Sequence, residues 1–428
     1  MFNNQKMLDF INASPTAFHA VDEIVKILEN NGFEKLSEQG KWDVKPNGKY
    51  YVTRNHSSII AFDIPSNVKN CSFRMVASHS DSPTFKIKPN AIIKSDKYTK
   101  LNVEGYGGLI LNTWMDKPLS IAGRLMVKTK NGIEEKLVCV DEDLCIIPNM
   151  SIHQNRGVNE GMKYNQQVDM LPIIGYGEEG IFMNKLAESA NIRKEDICGF
   201  DLYLYNRQQG TIWGNEQYVS SGRLDDLQCA YTTLEGFVQA DSKAINVYCC
   251  FDNEEVGSST RQGANSTFLE DCLLRAASEL GEGDNYHQMI AKSFLVSADN
   301  AHSVHPNHPE LADPTNRVNI NGGVVVKYNA NQSYTSDSFS AALFVQCCKD
   351  ANVEVQYFTN RSDARGGGTL GNISTSHVSV ASVDVGLAQW AMHSSYETAG
   401  CKDTDDMIKA MKSYFEKEFE ITENGIHF

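Results

Sequence analysis

Four short stretches of this chain are almost continuously apolar and stop abruptly at polar residues: Phe73 to Ser78, Ile245 to Phe251, Phe294 to Ala298 and Val378 to Val383. Runs of that length bounded by turn residues suit strands buried on both faces. They restrict the chain to an α/β class, a mixed sheet flanked by helices. Between them, apolar residues recur at helical spacing. One stripe is Val21, Ile24, Val25 and Leu28, with Ser14-Pro15 read as N-cap and first-turn proline. A second is Leu227, Ala230, Tyr231, Leu234 and Phe237; a third is Phe339, Leu343 and Cys347. The fourth runs through Ile408, Met411, Phe415 and Phe419 behind a Thr404 cap, so at least four helices are expected.

From about residue 88 to 220 helical stripes are few, and residues 122 to 140 read as a hairpin turning at Asn131-Gly132 in a type I′ turn. The expected organisation is a catalytic α/β domain, residues 1–87 joined with 221–428, carrying an inserted β-rich domain, residues 88–220.

Composition narrows the function classes. No apolar run approaches the roughly 18 residues of a membrane span. A net charge of −15 offers no general attraction to phosphate backbones or anionic lipid, which sets nucleic acid and membrane partners aside. Eleven cysteines with no C-x-x-C spacing suggest reduced core thiols rather than a disulfide framework or thiolate zinc site. With no secretory pattern at the start, the expected address is cytoplasmic.

The chemistry lies in what terminates the apolar runs. His79-Ser80-Asp81 follows the first, Asp252-Asn253-Glu254-Glu255 the second and Asp299-Asn300-Ala301-His302 the third. Ligands of open α/β sheets bind outside the carboxyl ends of the strands, so these clusters are expected to converge on one crevice. Crowded acids raise one another's proton affinity unless a cation is present. Carboxylates with a few imidazoles and no thiolates suit catalytic zinc, with manganese or cobalt as alternatives. Asp225, just before a helix, and His393, soon after the last strand, are further candidate ligands.

Those residues resemble the aspartyl aminopeptidase family, two-zinc exopeptidases related to vacuolar aminopeptidase I. The resemblance covers most of the chain. It rests on Ser14 to Ala20, Ser78-His79-Ser80-Asp81-Ser82-Pro83, Phe251 to Ser258, Asp299 to Asn307 and Leu387 to Ser394. It implies a zinc-exopeptidase-like fold and two divalent ions per subunit, with Asp225 bridging them. His79 and Asp299 would complete one site, and Glu255 and His393 the other. Asp81 would orient His79, and Glu254 would act as general base toward a two-metal-bridging water. The segment Ile147 to Arg156 resembles the family stretch that reaches a neighbouring subunit's active site, with His153 against substrate or oxyanion. Where Asn149 stands the family often has a second histidine. His302, Lys327 and Tyr334 would line the substrate pocket, and a lysine there would explain a preference for acidic residues. Removal of the N-terminal residue from peptides with a free amino group is the implied activity. Neutral aminopeptidases and deacylases of the same metal class are the alternatives. Family precedent also implies a homo-oligomer, often a twelve-subunit shell, in which the insert serves assembly and substrate gating.

Around Asp225 the family commonly reads Pro-Arg-Leu-Asp-Asn-Leu; here Gly222 and Asp226 replace the proline and the asparagine, and Asp226 is read as a helix cap. His302, His305 and His308 cannot form a helical metal row, because Pro306 and Pro309 interrupt them. Gly366 to Gly371 satisfies G-x-G-x-x-G after a strand-like segment, which keeps a nicotinamide-dependent oxidoreductase as a remote rival. The polar, β-branched residues 372–378 do not read as the amphipathic helix that fingerprint opens.

Overall fold

The computed structural model describes residues 2–177 and 180–428, Phe2 by its backbone alone. Among these, nine strands form a central sheet in the order Glu34–Lys35, Lys49–Arg54, Ser58–Asp63, Ile245–Phe251, Phe73–His79, Phe294–Ala298, Ala381–Gly386, Val324–Lys327, Val355–Phe358. The four neighbours from Ile245–Phe251 to Ala381–Gly386 run parallel. Their composition explains their burial. Along Ile245–Phe251, Tyr248 and Cys250 join one apolar cluster with Leu234, Leu343 and Met411, whereas Val247, Cys249 and Phe251 join another with Phe268, Leu273 and Met289. Successive side chains of a strand point to opposite faces, so a strand covered on both sides must be apolar throughout.

Helices cover each face: Leu224–Val238, Ser338–Asp350 and Cys401–Glu416 pack on one side, Phe268–Glu279 on the other. A six-stranded, wholly antiparallel sheet stands apart, built from strands between Thr84 and Asn206 with its own core around Phe85, Leu101, Ile121, Leu125 and Leu202. A third sheet pairs Thr211–Trp213 and Tyr218–Ser221 with Glu397–Gly400, Ala388–Trp390 and Ala301–His302.

Several local expectations shift. Ser14 does not cap the helix Ala17–Asn30. Its N–H closes the preceding helix, Phe2–Ala13, on the Ile11 carbonyl, and Thr16 takes the cap position. That preceding helix has too weak an apolar stripe to be read from sequence. The last helix begins at Cys401 with Gly400 as its cap, so Thr404 lies inside it, buried against Gln228. Phe419 falls beyond its end at Glu416. The hairpin turn is Lys130-Asn131, because Thr129 pairs with Gly132 and its hydroxyl accepts from the Asn131 N–H.

The final core strand spans Ala381–Gly386, three residues later than the apolar run suggests. Val378 N–H still closes a helical turn on the Ser374 carbonyl. Asp384, fully buried, is accommodated in mid-strand because the hydroxyls of Thr335 and Thr369 donate to its carboxylate. A five-residue helix, Leu370–Ser374, does follow the glycine run, though it is too short for a dinucleotide fold.

Candidate metal centre

Three adjacent parallel strands deliver three of the clusters. Phe73–His79 ends on His79, Ile245–Phe251 leads into the turn Glu254–Val256, and Phe294–Ala298 is followed by Asp299. Asp225 arrives at the start of the helix Leu224–Val238. The excursion through residues 84–206 leaves and returns beside the same point. Ser82, just after His79, donates through its hydroxyl to the Asp225 carbonyl at 2.8 Å. Only glycine lets the strand Ala381–Gly386 pass Asp299, since a Cβ on Gly386 would lie 1.9 Å from the Asp299 carbonyl oxygen.

The side chains meet in two overlapping groups. Donor atoms of His79, Asp225, Asp226 and Asp299 lie within 4.8 Å of one another, as do those of Asp225, Glu255 and His393; His79, Glu254 and Glu255 form a third such set. Nε2 of His79 is 3.5 Å from Asp225 Oδ1, and Nε2 of His393 is 3.4 Å from both Asp225 Oδ2 and Glu255 Oε2. These separations exceed ordinary hydrogen bonds. They match the roughly 3.3–3.4 Å between two donors each about 2.0–2.1 Å from one tetrahedral ion. The two oxygens of Asp225 thus face one imidazole each.

The remaining ring nitrogens are fixed. His79 Nδ1 donates to the Asp81 carbonyl at 3.0 Å, and His393 Nδ1 to the Gly108 carbonyl at 2.8 Å, which leaves both Nε2 lone pairs toward Asp225. The Asp81 carboxylate stands 3.4 Å from His79 Nδ1 and is engaged chiefly elsewhere. It accepts from the N–H groups of Glu254 and Glu255 and from the Tyr106 hydroxyl, so it shapes the turn that presents both glutamates.

Electrostatics favour a cation. Burial, then Asp225 and the neighbouring acids, holds the Glu255 carboxyl well above the usual range; burial lifts Glu254 to about 8 and Asp299 to about 6. For His393, burial opposes protonation but the Asp225 carboxylate outweighs it, giving about 9. Asp225 Oδ1, Asp226 Oδ1 and Glu255 Oε1 are buried without a hydrogen-bond partner. Buried oxygens lacking donors, imidazoles whose proton affinity is raised by the carboxylates they face, and donors at ligand spacing together fit divalent ions.

Comparison with known proteins agrees with this geometry. The family described as Aminopeptidase I zinc metalloprotease (M18) matches residues 10–415. The chain belongs to the M18 aminopeptidase family. A probable M18 family aminopeptidase 2 of Clostridium novyi is 47% identical over 422 residues, covering 96% of this chain and 98% of the relative. Among solved structures, one described as the Ape4 and Nbr1 complex is similar at a TM-score of 0.94 and 33% identity, covering 96% of this chain and 85% of that one. The S. cerevisiae mApe1 dodecamer has a TM-score of 0.86 at 27% identity, with 96% of each chain covered. The protein is therefore a zinc metalloaminopeptidase, a hydrolase that removes N-terminal residues from peptides.

In this M18 aminopeptidase the metal-ligand candidates open into a cavity of about 310 Å³ that also exposes Glu254, His302, Lys327, Tyr334, Gly367 and Gly368. Lys327 Nζ donates to the Asn300 carbonyl at 2.8 Å and lies 3.7 Å from Asp299 Oδ2. Burial alone would weaken its proton affinity, but the Asp299 carboxylate raises it. His153 does not line this cavity; it is exposed on the loop after Asn149, whose N–H and amide both donate to Asp116.

Sequence reasoning missed two supporting residues and misplaced a third. Glu397, buried, accepts from the N–H groups of Asp225 (3.1 Å) and His393 (2.7 Å), tying both to one carboxylate. A glutamate four residues after His393 was the available signal. Tyr106 gave none, because its role depends on a strand that approaches Asp81 only in space. Asp226 makes no cap; its Oδ2 accepts from the His79 N–H at 3.0 Å, drawing the side chain into the cluster.

Proposed function

We propose that Asp225 bridges two divalent ions, with His79 and Asp299 completing one site and Glu255 and His393 the other, and that Glu254 is the general base. The observation that carries this is the pair of overlapping donor groups sharing Asp225. When bound, the ions supply Lewis acidity to the scissile carbonyl and lower the proton affinity of a water molecule. The chain's own residues do the rest. Asp81 fixes the backbone of Glu254 and Glu255, so the free carboxylate of Glu254 faces the cavity ready to take a proton and pass it to the leaving amine. Glu397 holds Asp225 and His393 in register.

The favoured N-terminal residue is acidic in this reading. Lys327 is the one lysine or arginine lining the cavity among the described residues, and a fixed cation selects a carboxylate side chain. A panel of aminoacyl chromogenic substrates, with N-acetylated controls, tests it: Asp and Glu substrates should exceed Leu and Ala, and blocked ones should resist. Cleavage of the acetylated controls would indicate a deacylase instead. In Lys327→Met the ratio of kcat/KM for Asp over Leu substrates should drop at least about 10-fold, the scale of one lost charged contact. Because that ratio is taken within one preparation, it is insensitive to any accompanying loss of metal.

The strand-rich unit, expected as residues 88–220 between catalytic segments 1–87 and 221–428, is proposed to drive homo-oligomer assembly, a dodecamer as in the yeast mApe1 structure, and to gate substrate. Nine large apolar residues between Ile92 and Tyr176 are exposed on this chain, among them Ile133, Met150, Ile152 and Val168. An association surface formed from them would bury these side chains. His153 would then serve a neighbouring subunit's cavity. Subunit mixing checks this: His153→Ala and Glu254→Gln homo-oligomers, each impaired, should regain activity when dissociated and reassembled together. Continued inactivity of the mixture would show that His153 does not act in a neighbouring subunit's cavity. All eleven cysteines are free thiols, which supports a reducing, cytoplasmic location.

A further inference from the structure

The second aspartate of Leu224-Asp225-Asp226-Leu227 lies among the candidate metal ligands. Asp226 is fully buried. Its Oδ2 accepts from the backbone N–H of His79, while its Oδ1 has no hydrogen-bond partner. The Cys229 thiol lies beside the Asp226 carboxylate and donates to Asn300 Oδ1. One Asp226 oxygen lies within 4.8 Å of the donor atoms of His79, Asp225 and Asp299. A buried carboxylate beside three candidate ligands, with one of its oxygens lacking a hydrogen-bond partner, is placed where a cation would satisfy it.

We propose that Asp226 belongs to the cation site formed by His79, Asp225 and Asp299, and that its carboxylate biases that site toward an oxygen-preferring ion such as Mn²⁺ over Zn²⁺. The donor set there becomes one imidazole and three carboxylates, against one imidazole and two carboxylates for the group of Asp225, Glu255 and His393. Oxygen-rich sets suit manganese and magnesium, whereas nitrogen raises the relative affinity for zinc. The two positions of the pair are therefore chemically unequal in this chain.

This inference rests on the assignment of His79, Asp225 and Asp299 to one ion, and the test separates the two claims. Metal-free protein is titrated with Mn²⁺, read by the electron paramagnetic resonance of free Mn²⁺, and with Zn²⁺ in competition, for wild type and Asp226→Asn. The amide oxygen of asparagine can still accept the His79 N–H, so the substitution removes the charge and keeps that bond. The expected result is a 10- to 100-fold loss of Mn²⁺ affinity at one site per subunit, with a smaller loss for Zn²⁺. Unchanged Mn²⁺ affinity, or an equal loss for both ions, overturns the role of Asp226. Wild-type protein that binds neither ion overturns the underlying assignment instead. Circular dichroism checks folding; should the amide variant fail to fold, Asp226→Ser, whose hydroxyl can also accept the His79 N–H, takes its place in the same titration.

Discussion

Substituting Glu254→Gln is expected to lower kcat by about 10²- to 10⁴-fold, the range a positioned general base contributes, while metal content per subunit stays at the wild-type value. The amide matches the carboxylate in size and leaves the backbone anchoring untouched, since it is the Glu254 N–H that bonds to Asp81. What disappears is the ability to accept a proton. Without cations, burial and then the neighbouring acids lift Glu254 to about 8; divalent ions nearby would bring it down. The acidic limb of the wild-type profile of kcat/KM should therefore fall below pH 8 and vanish in the variant. Because Glu254 also lies within ligand distance of His79 and Glu255, elemental analysis has a second use. Loss of one ion together with activity would make Glu254 a ligand, and the base would have to be sought elsewhere.

Stripping the ions with a chelator should abolish turnover and also change how stability depends on pH. Burial lifts Asp299 to about 6 and Glu254 to about 8, above their unfolded values near 4. An acid with a raised folded pKa binds more protons when folded, so its contribution is present at low pH and is lost as pH rises through the folded value. His393, at about 9, and His79, also raised, act in the same direction as they deprotonate. Asp225 is the exception: burial would raise it, but the two imidazoles lower it, so its contribution is lost only on acidification below the usual carboxylate range. Metal-free protein should then become progressively less stable from about pH 5 to pH 9. Saturating metal should flatten that slope and add about 4 kcal/mol per ion at 1,000-fold excess over Kd. Thermal unfolding across that pH range, with and without Zn²⁺, is the measurement. A metal-free protein whose stability rises with pH over that window would contradict the buried, mutually raised carboxylates.

Much of the catalytic half was legible because burial leaves a local trace. Strands covered on both faces have to be apolar at every position, so Phe73–His79, Ile245–Phe251 and Phe294–Ala298 were visible as runs, and the polar residues that end them marked the edge where the candidate ligands lie. Asp384 shows the limit of that rule. Two hydroxyls from separate loops satisfy it, and an interior strand carries a carboxylate past the point where polarity should have stopped it. Helix starts were misread at Ser14 and Thr404 for a related reason. Ser14 closes the helix before it, and Thr404 is held by a glutamine on another helix. Gln228 is too far from Thr404 in sequence to be weighed, and the Ile11 carbonyl, three residues from Ser14, belongs to a helix whose apolar stripe is too weak to be read.

The amino-acid order alone determined which chemistry this protein could hold: carboxylates and imidazoles, without paired thiolates, placed at the ends of strands that have to be buried. Tertiary structure decided how those groups meet. It brought Asp225 beside His79 across the excursion through the second sheet and let Glu397 bind the backbone of both Asp225 and His393. It also turned Asp226 from a presumed cap into a neighbour of the candidate ligands. Side-chain type and periodicity are properties of single positions and their near neighbours. A coordination shell requires distances of a few ångströms among residues far apart in the chain, and only the packed sheet and its loops fix those.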